Sequence, residues 1–247
     1  MRPGKRTIFA AWQHYKGQTM LRSTLLALAL GAASLALSAC GDKSAASGAN
    51  TENLAEKTNS NTYVAKKYGI TATAPDGWFV MDSDVTKKLM DIGRDSATAN
   101  ADAKTKAEFD ASIARSENIF GFLETDPKVS SEGGAGILGL AEDLAGSPDV
   151  KTGRDYFPHL RAAFEQTAAN VTVDDTYTSV QIDGHTFDRM NIVMHGTGPA
   201  GTPIEVNQRY LAARHDNSMI VFIQSYMDEA DLAALDGIVN SIKLDWK

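Results

Sequence analysis

The chain holds one cysteine, Cys40, and it closes an apolar run that begins at Leu25. That feature splits the 247 residues into a leading segment that joins no folded core and a following segment that must fold unaided by disulfides. Leu25 to Leu37 carries no charge and is too short for a comfortable bilayer span. A single thiol forms no intramolecular disulfide, so the part after Cys40 rests on its own hydrophobic core. Composition allows this, with 43% hydrophobic and 22% charged residues, both globular values. Five of the 24 lysines and arginines and none of the 31 acids precede Cys40, which leaves 19 bases against 31 acids, net −12, from Cys40 onward. A surface with that balance repels nucleic acid and anionic lipid, so no nucleic-acid partner is expected.

Met20-Leu21-Arg22, the apolar run and the small pair Ser38-Ala39 have the order of an export signal: basic, apolar, cleavable. The tetrapeptide Leu37-Ser38-Ala39-Cys40 resembles the bacterial lipobox. The resemblance implies that residues 1–39 are a lipoprotein signal peptide and that the Cys40 thiol takes a diacylglyceryl group. The new amino terminus is then acylated, as with palmitate. Each buried methylene adds ~0.8 kcal/mol, so more than one chain gives a stable membrane anchor. An envelope protein facing the periplasm is implied, and Gly41 directly after the cysteine favours the outer membrane over the inner. Residues 40–61 are rich in Ser, Ala, Gly, Asn and Thr without apolar period and are expected to be a flexible tether, spanning roughly 25 Å.

The folded domain is expected over residues 62–247. Tyr68 to Ala74 alternates as a half-buried strand, Pro75-Asp76-Gly77 turns the chain, and Trp78 to Met81 returns as a second strand. Asp84 is placed to cap a helix carrying Val85, Leu89 and Ile92, and Asn100 to Arg115 predicts a solvated helix with Phe109 and Ile113 four apart. Asn118 to Glu124 is strand-like, Lys128 to Gly134 a polar loop, and Ile137 to Leu144 a weaker strand or turn. Thr152 to Ala169 predicts a helix striped by Tyr156, Leu160, Ala163, Phe164 and Thr167, its regular part starting near Asp155 because Pro158 belongs in a first turn. A meander follows. Thr176 to Ile182 and His185 to His195 flank the hairpin signal Asp183-Gly184. Gly196 to Gly201 turns the chain into the strand Ile204 to Ala213, and Asp216-Asn217 leads to Met219 to Tyr226. In that last strand Met219, Val221 and Ile223 alternate with Ile220 and Phe222, so both faces are apolar and the strand is expected to be central. Asp228 caps a closing helix with Asp231 in the capping-box position and Leu232, Leu235, Val239 and Ile242 on one face. The class is α+β with a mainly antiparallel sheet.

Tyr68-Gly69-Ile70-Thr71 with Ala74-Pro75-Asp76-Gly77-Trp78 resembles the opening of the PsbP-like, Mog-type sandwich domains. The ending is similar too: Gln208-Arg209-Tyr210, Ile220-Val221-Phe222, Ser225-Tyr226, then Leu235 through Ser241-Ile242-Lys243. The resemblance runs from about Tyr63 to Lys247 and points to a bacterial envelope lipoprotein branch, DcrB-like and LpqN-like. It implies an α/β/α sandwich, with helices covering both faces of the sheet. It carries no catalytic signature, and known members are mostly binding or assembly factors.

No other pattern assembles a site. Gly134-Ala135-Gly136-Ile137-Leu138-Gly139 fits G-x-G-x-x-G, but a polar loop precedes it where a dinucleotide site needs a strand. His159, His185, His195 and His215 lack metal-ligand spacing on a helix. Asp174, Asp175, Asp183 and Asp188 make a solvated edge more readily than a calcium site. No Gly-x-Ser-x-Gly elbow occurs, and the anchor consumes Cys40. Trp78, Tyr210 and Tyr226 either wall a pocket or fill the core, with core favoured. The expectation is therefore no enzyme, no cofactor and no metal. The protein is expected to be a lipid-anchored envelope protein that binds a protein partner in assembly or maintenance of an envelope complex. The alternative is a carrier or sensor of a small apolar or lipid ligand.

Overall fold

The computed structural model describes residues 56–59, 61–82, 84–87, 90–91, 94, 103–126, 134–166, 170–197 and 202–247. Cys40, the export signal, Leu89, Ile92 and the turn over residues 198–201 lie outside the described residues, as do the side chains of Phe109 and Ala163. Two antiparallel sheets form. The smaller holds β1 (Glu56–Asn59), β2 (Thr62–Ala65), β3 (Ile70–Thr73) and, as its last member, the C-terminal β12 (Lys243–Leu244). The larger begins with β4 (Phe79–Val80), followed after helix α1 (Ala103–Arg115) by β5 (Ser116–Leu123) and β6 (Gly136–Asp143). Helix α2 (Gly153–Gln166) leads to β7 (Asn170–Val173), β8 (Thr178–Ile182), β9 (His185–Thr197), β10 (Pro203–His215) and β11 (Ser218–Tyr226), and α3 (Leu232–Ser241) precedes β12. Strand order in the large sheet is β4-β5-β6-β11-β10-β9-β7, with β8 also on β9. The expected mainly antiparallel α+β class is what the chain forms.

Strand β11 divides the core as its alternation requires. Met219, Val221 and Ile223 join Met190, Ile192, Met194, Leu138 and Leu140 under Tyr156, Phe157, Leu160 and Phe164 of α2. Ile220 and Phe222 join Phe120, Phe122 and Phe187 under Leu232, Leu235, Ile238 and Val239 of α3. This second cluster also takes Ile70 and Ala72 from β3 and Leu244 from β12. The layering thus departs from a single sheet between helices, because a second sheet shares one of the two interiors.

Several local expectations need correction. Pro75-Asp76-Gly77 does turn, with Trp78 N–H on the Pro75 carbonyl at 3.2 Å, but no hairpin results. Strand β3 is already paired to β2 on one edge and β12 on the other, so β4 crosses to the large sheet and pairs β5. Strand β1 falls inside residues 40–61, the stretch expected as tether, and pairs β2 just beyond it. The helical turn at residues 84–87 is capped from Asp82, whose Oδ1 accepts Val85 N–H at 2.8 Å, and not from Asp84. Ile137 to Leu144, expected as a weak strand or turn, falls largely on β6, which is buried along seven of its eight residues and pairs β11 and β5. There Gly139 is required for packing, since a Cβ would lie 2.5 Å from the Phe120 ring.

Helix α2 starts before Asp155. Thr152 and Asp155 form a reciprocal cap: Thr152 N–H to Asp155 Oδ2 at 2.9 Å, Asp155 N–H to Thr152 Oγ1 at 3.2 Å. Pro158 sits inside the helix, where the bond it cannot donate would fall on the Arg154 carbonyl. Both residues are exposed, so that carbonyl has water within reach. Asp228 caps a 3₁₀ turn, Glu229–Asp231, through Ala230 N–H at 3.0 Å, and α3 follows from that turn. Asp231 enters it through its backbone N–H to the Asp228 carbonyl at 3.0 Å.

The hairpin between β8 and β9 is as expected. Asp183 and Gly184 have φ of 46° and 85°, the pair of positive values a two-residue type I′ turn needs. Asp183 also receives Leu244 N–H at 2.8 Å and Lys243 Nζ at 3.0 Å, so the turn holds β12 in place. Gly184→Val should cost about 1–3 kcal/mol, the range for a non-glycine residue strained into such a conformation. Urea unfolding checks this, and an unchanged midpoint would contradict the turn.

Candidate functional site

Of the polar clusters that the described residues form, two come nearest to a site, one inside the core and one on the surface. The internal cluster begins at Glu142, the one charged side chain in the apolar stretch of β6. It is 3% exposed, and its Oε2 accepts the Tyr156 hydroxyl of α2 at 2.7 Å. Burying a carboxylate among Leu140, Val221 and Ile223 is costly unless hydrogen bonds compensate. Burial first, and then the Glu142 charge, hold the Tyr156 hydroxyl well above the ordinary tyrosine range. Burial alone does the same for Tyr210. The Tyr210 hydroxyl donates to Gln208 Oε1 at 2.9 Å, and Gln208 Nε2 donates to Ser225 Oγ at 2.9 Å. Gln208 and Tyr210 point the same way because they are two apart on β10, and Ser225 is the cross-strand partner of Gln208 on β11. Ser116, Leu140, Glu142, Tyr156, Tyr210, Val221 and Ile223 line a cavity of about 10 Å³.

The surface cluster lies where β7, β9 and β10 run side by side. His195 pairs Asn170 across one edge of β9 and Glu205 across the other. Thr172 Oγ1 is 3.0 Å from His195 Nε2, and Glu205 Oε1 is 3.3 Å from His195 Nδ1. Hydroxyl, imidazole and carboxylate thus stand in the order of a nucleophile, a base and its orienting acid. The surroundings do not suit catalysis. Glu205 is 67% exposed, Thr172 is exposed, and the three side chains lie along cross-strand positions of a sheet face without a water-excluding wall among the described residues. The cluster is a cross-strand polar ladder.

The residues singled out in the sequence disperse. His185 and His195 share a face of β9 but lie ten residues apart, about 33 Å along an extended strand. His185 and His215 both pack on Trp246, at ring-centre distances of 5.1 and 4.5 Å, and Trp246 Nε1 donates to the Tyr68 carbonyl at 2.8 Å. Asp174, Asp175, Asp183 and Asp188 go separate ways, to Asn191, Arg161, Lys243 and Arg154 respectively. No three metal-ligating side chains converge among the described residues. Tyr210 lies in the first core cluster, and Tyr226 and Trp78 in the second, so the three aromatics share no pocket. Gly136 and Gly139 sit within β6, so the G-x-G-x-x-G match is strand and not phosphate loop. Glu142 carries no sequence signal of burial, because it stands beside Asp143 where the apolar run ends. Gln208 and Ser225 left no such signal.

No family model and no curated protein matches the chain. Among solved structures, the solution structure of cyanobacterial PsbP (CyanoP) from Synechocystis sp. PCC 6803 is similar, at 12% identity and a TM-score of 0.45. The match covers 83% of this chain and 99% of that one. The crystal structure of LpqN, involved in cell envelope biogenesis of Mycobacterium tuberculosis, is similar at 10% identity and a TM-score of 0.38, covering 71% and 82% respectively. Both are of the kind that the Tyr68–Trp78 opening and the closing strand and helix resemble. At this degree of overlap neither assigns a role to any residue. No helix among the described residues is long and apolar enough to cross a membrane.

Proposed function

We propose that this is a non-catalytic lipoprotein of the bacterial cell envelope, anchored through lipid on Cys40 and facing the periplasm, with the outer membrane favoured. On this reading its domain, an α/β/α sandwich in outline, binds a protein partner in assembly or maintenance of an envelope complex. The observation that carries the proposal is the apolar run Leu25 to Leu37 ending on Leu37-Ser38-Ala39-Cys40, with the only thiol of the chain at the last position. The polar stretch that follows the cysteine supports it, because it leaves the domain reach. The size of the cavity at Glu142 supports a partner over a lipid carried there. The cavity at Glu142 is about 10 Å³, whereas small-molecule pockets run to several hundred.

Cys40→Ala tests the anchor. The substituted protein should leave the detergent phase and the membrane fraction, or accumulate unprocessed. In-cell crosslinking of the wild type should recover one envelope protein repeatedly, and that protein should be lost with the substitution. Membrane partitioning that survives Cys40→Ala would overturn the anchor. A lipid co-purifying in stoichiometric amount, without a crosslinked protein, would overturn the partner reading.

A further inference from the structure

We propose that the cavity between α2 and strands β5, β6, β10 and β11 binds one internal water, and that this water joins two separate hydrogen-bond chains into one. Its size is that of a single water, about 10 Å³, which excludes an organic ligand. Its lining decides between wet and dry. A cavity walled only by apolar side chains stays empty, but Ser116, Glu142, Tyr156 and Tyr210 line this one beside Leu140, Val221 and Ile223.

The donor count points the same way. Tyr156 spends its proton on Glu142 Oε2 and Tyr210 spends its own on Gln208 Oε1. Both phenol oxygens therefore offer only acceptor capacity to the cavity, as does a carboxylate, which accommodates about four donors. A water brings two O–H donors to the acceptors of Glu142, Tyr156 and Tyr210, beside the Ser116 hydroxyl, which can donate or accept. Donating one to Tyr210 Oη and one to Glu142, it completes a path from Ser225 through Gln208, Tyr210 and Glu142 to Tyr156. That path would tie β11, β10 and β6 to helix α2. A connected polar network in a low-dielectric interior is worth more than its separate pairs.

Two measurements on the full chain test this. Oxygen-17 relaxation dispersion counts long-lived internal waters, and Val221→Ile adds a methyl group to the cavity wall. The wild type should show one more long-lived water than Val221→Ile, and equal counts would overturn the proposal. The second measurement is a double-mutant cycle with Tyr156→Phe and Tyr210→Phe, which keep ring shape and remove only the hydroxyls. Through a shared water, the double variant's unfolding constant should depart from the product of the single effects by about threefold or more. Adding Val221→Ile should abolish that departure. Multiplicative effects in the wild-type background, or a departure that persists with Val221→Ile, would overturn the shared water.

Discussion

A chain ended at Asp228 will not fold cooperatively. It loses α3 and β12, and with them Leu232, Leu235, Ile238, Val239, Ile242 and Leu244, all buried in the core cluster shared with Phe120, Phe187 and Phe222. Side chains of this kind contribute about 1.5–3 kcal/mol each when fully buried, so the loss is on the order of 10 kcal/mol or more. A whole domain is stable by only about 5–15 kcal/mol. The truncation also uncovers one edge of β3, which pairs β12 through Thr71 and Ile70, and strips the Asp183 turn of Leu244 N–H and Lys243. Circular dichroism and urea titration provide the readout. A sigmoidal transition in the truncated chain would refute this account of the closing unit.

Much of the fold was legible because burial on both sides of a strand leaves a mark in sequence. Met219 to Phe222 is apolar at every position, and β11 is indeed flanked by β6 and β10. The Asp183-Gly184 turn was legible because positive φ at two successive residues restricts residue choice sharply. The small sheet was not, apart from β3 within Tyr68 to Ala74. Its strands are four residues or fewer, and β12 is two residues far from its partner β3 in the chain, so no local pattern announces the pairing. That pairing sends β4 to the other sheet, and a turn motif alone does not say which strands it joins. Strand β6 was underrated because Gly136 and Gly139 lower strand propensity. Gly139 is there to admit the Phe120 ring, a fact of tertiary packing.

The candidate sites were less legible than the fold, for a related reason. Glu142 and Tyr156 are neighbours only once α2 lies on the sheet, and Gln208 reaches Ser225 only through the β10–β11 register. The Thr172–His195–Glu205 ladder needs three strands in order, and β7 is only four residues long. Histidines at positions 185 and 195 invited a shared role. They stand near opposite ends of the 13-residue strand β9.

Phe222→Ala should cost about 3–5 kcal/mol, the range for deleting a fully buried phenylalanine ring. Phe222 is 0% exposed and sits mid-strand in β11. Its ring stacks on Phe187 at 5.2 Å and meets Phe120 at 5.6 Å, and Phe187 continues to Trp246 at 5.6 Å. The cavity left by the ring is bounded by elements that cannot close on it. Phe120 is seated over Gly139, and Trp246 is held by its bond to the Tyr68 carbonyl. For a domain of this size the melting temperature should fall by roughly 6–20 °C. The denaturant slope should stay constant if the unfolded chain is unaffected. Phe222→Leu, which keeps most of the volume, should lose clearly less. A loss under about 1 kcal/mol for the alanine variant, or equal losses for leucine and alanine, would mean that the ring chain from Phe120 to Trp246 does not hold the two sheets together.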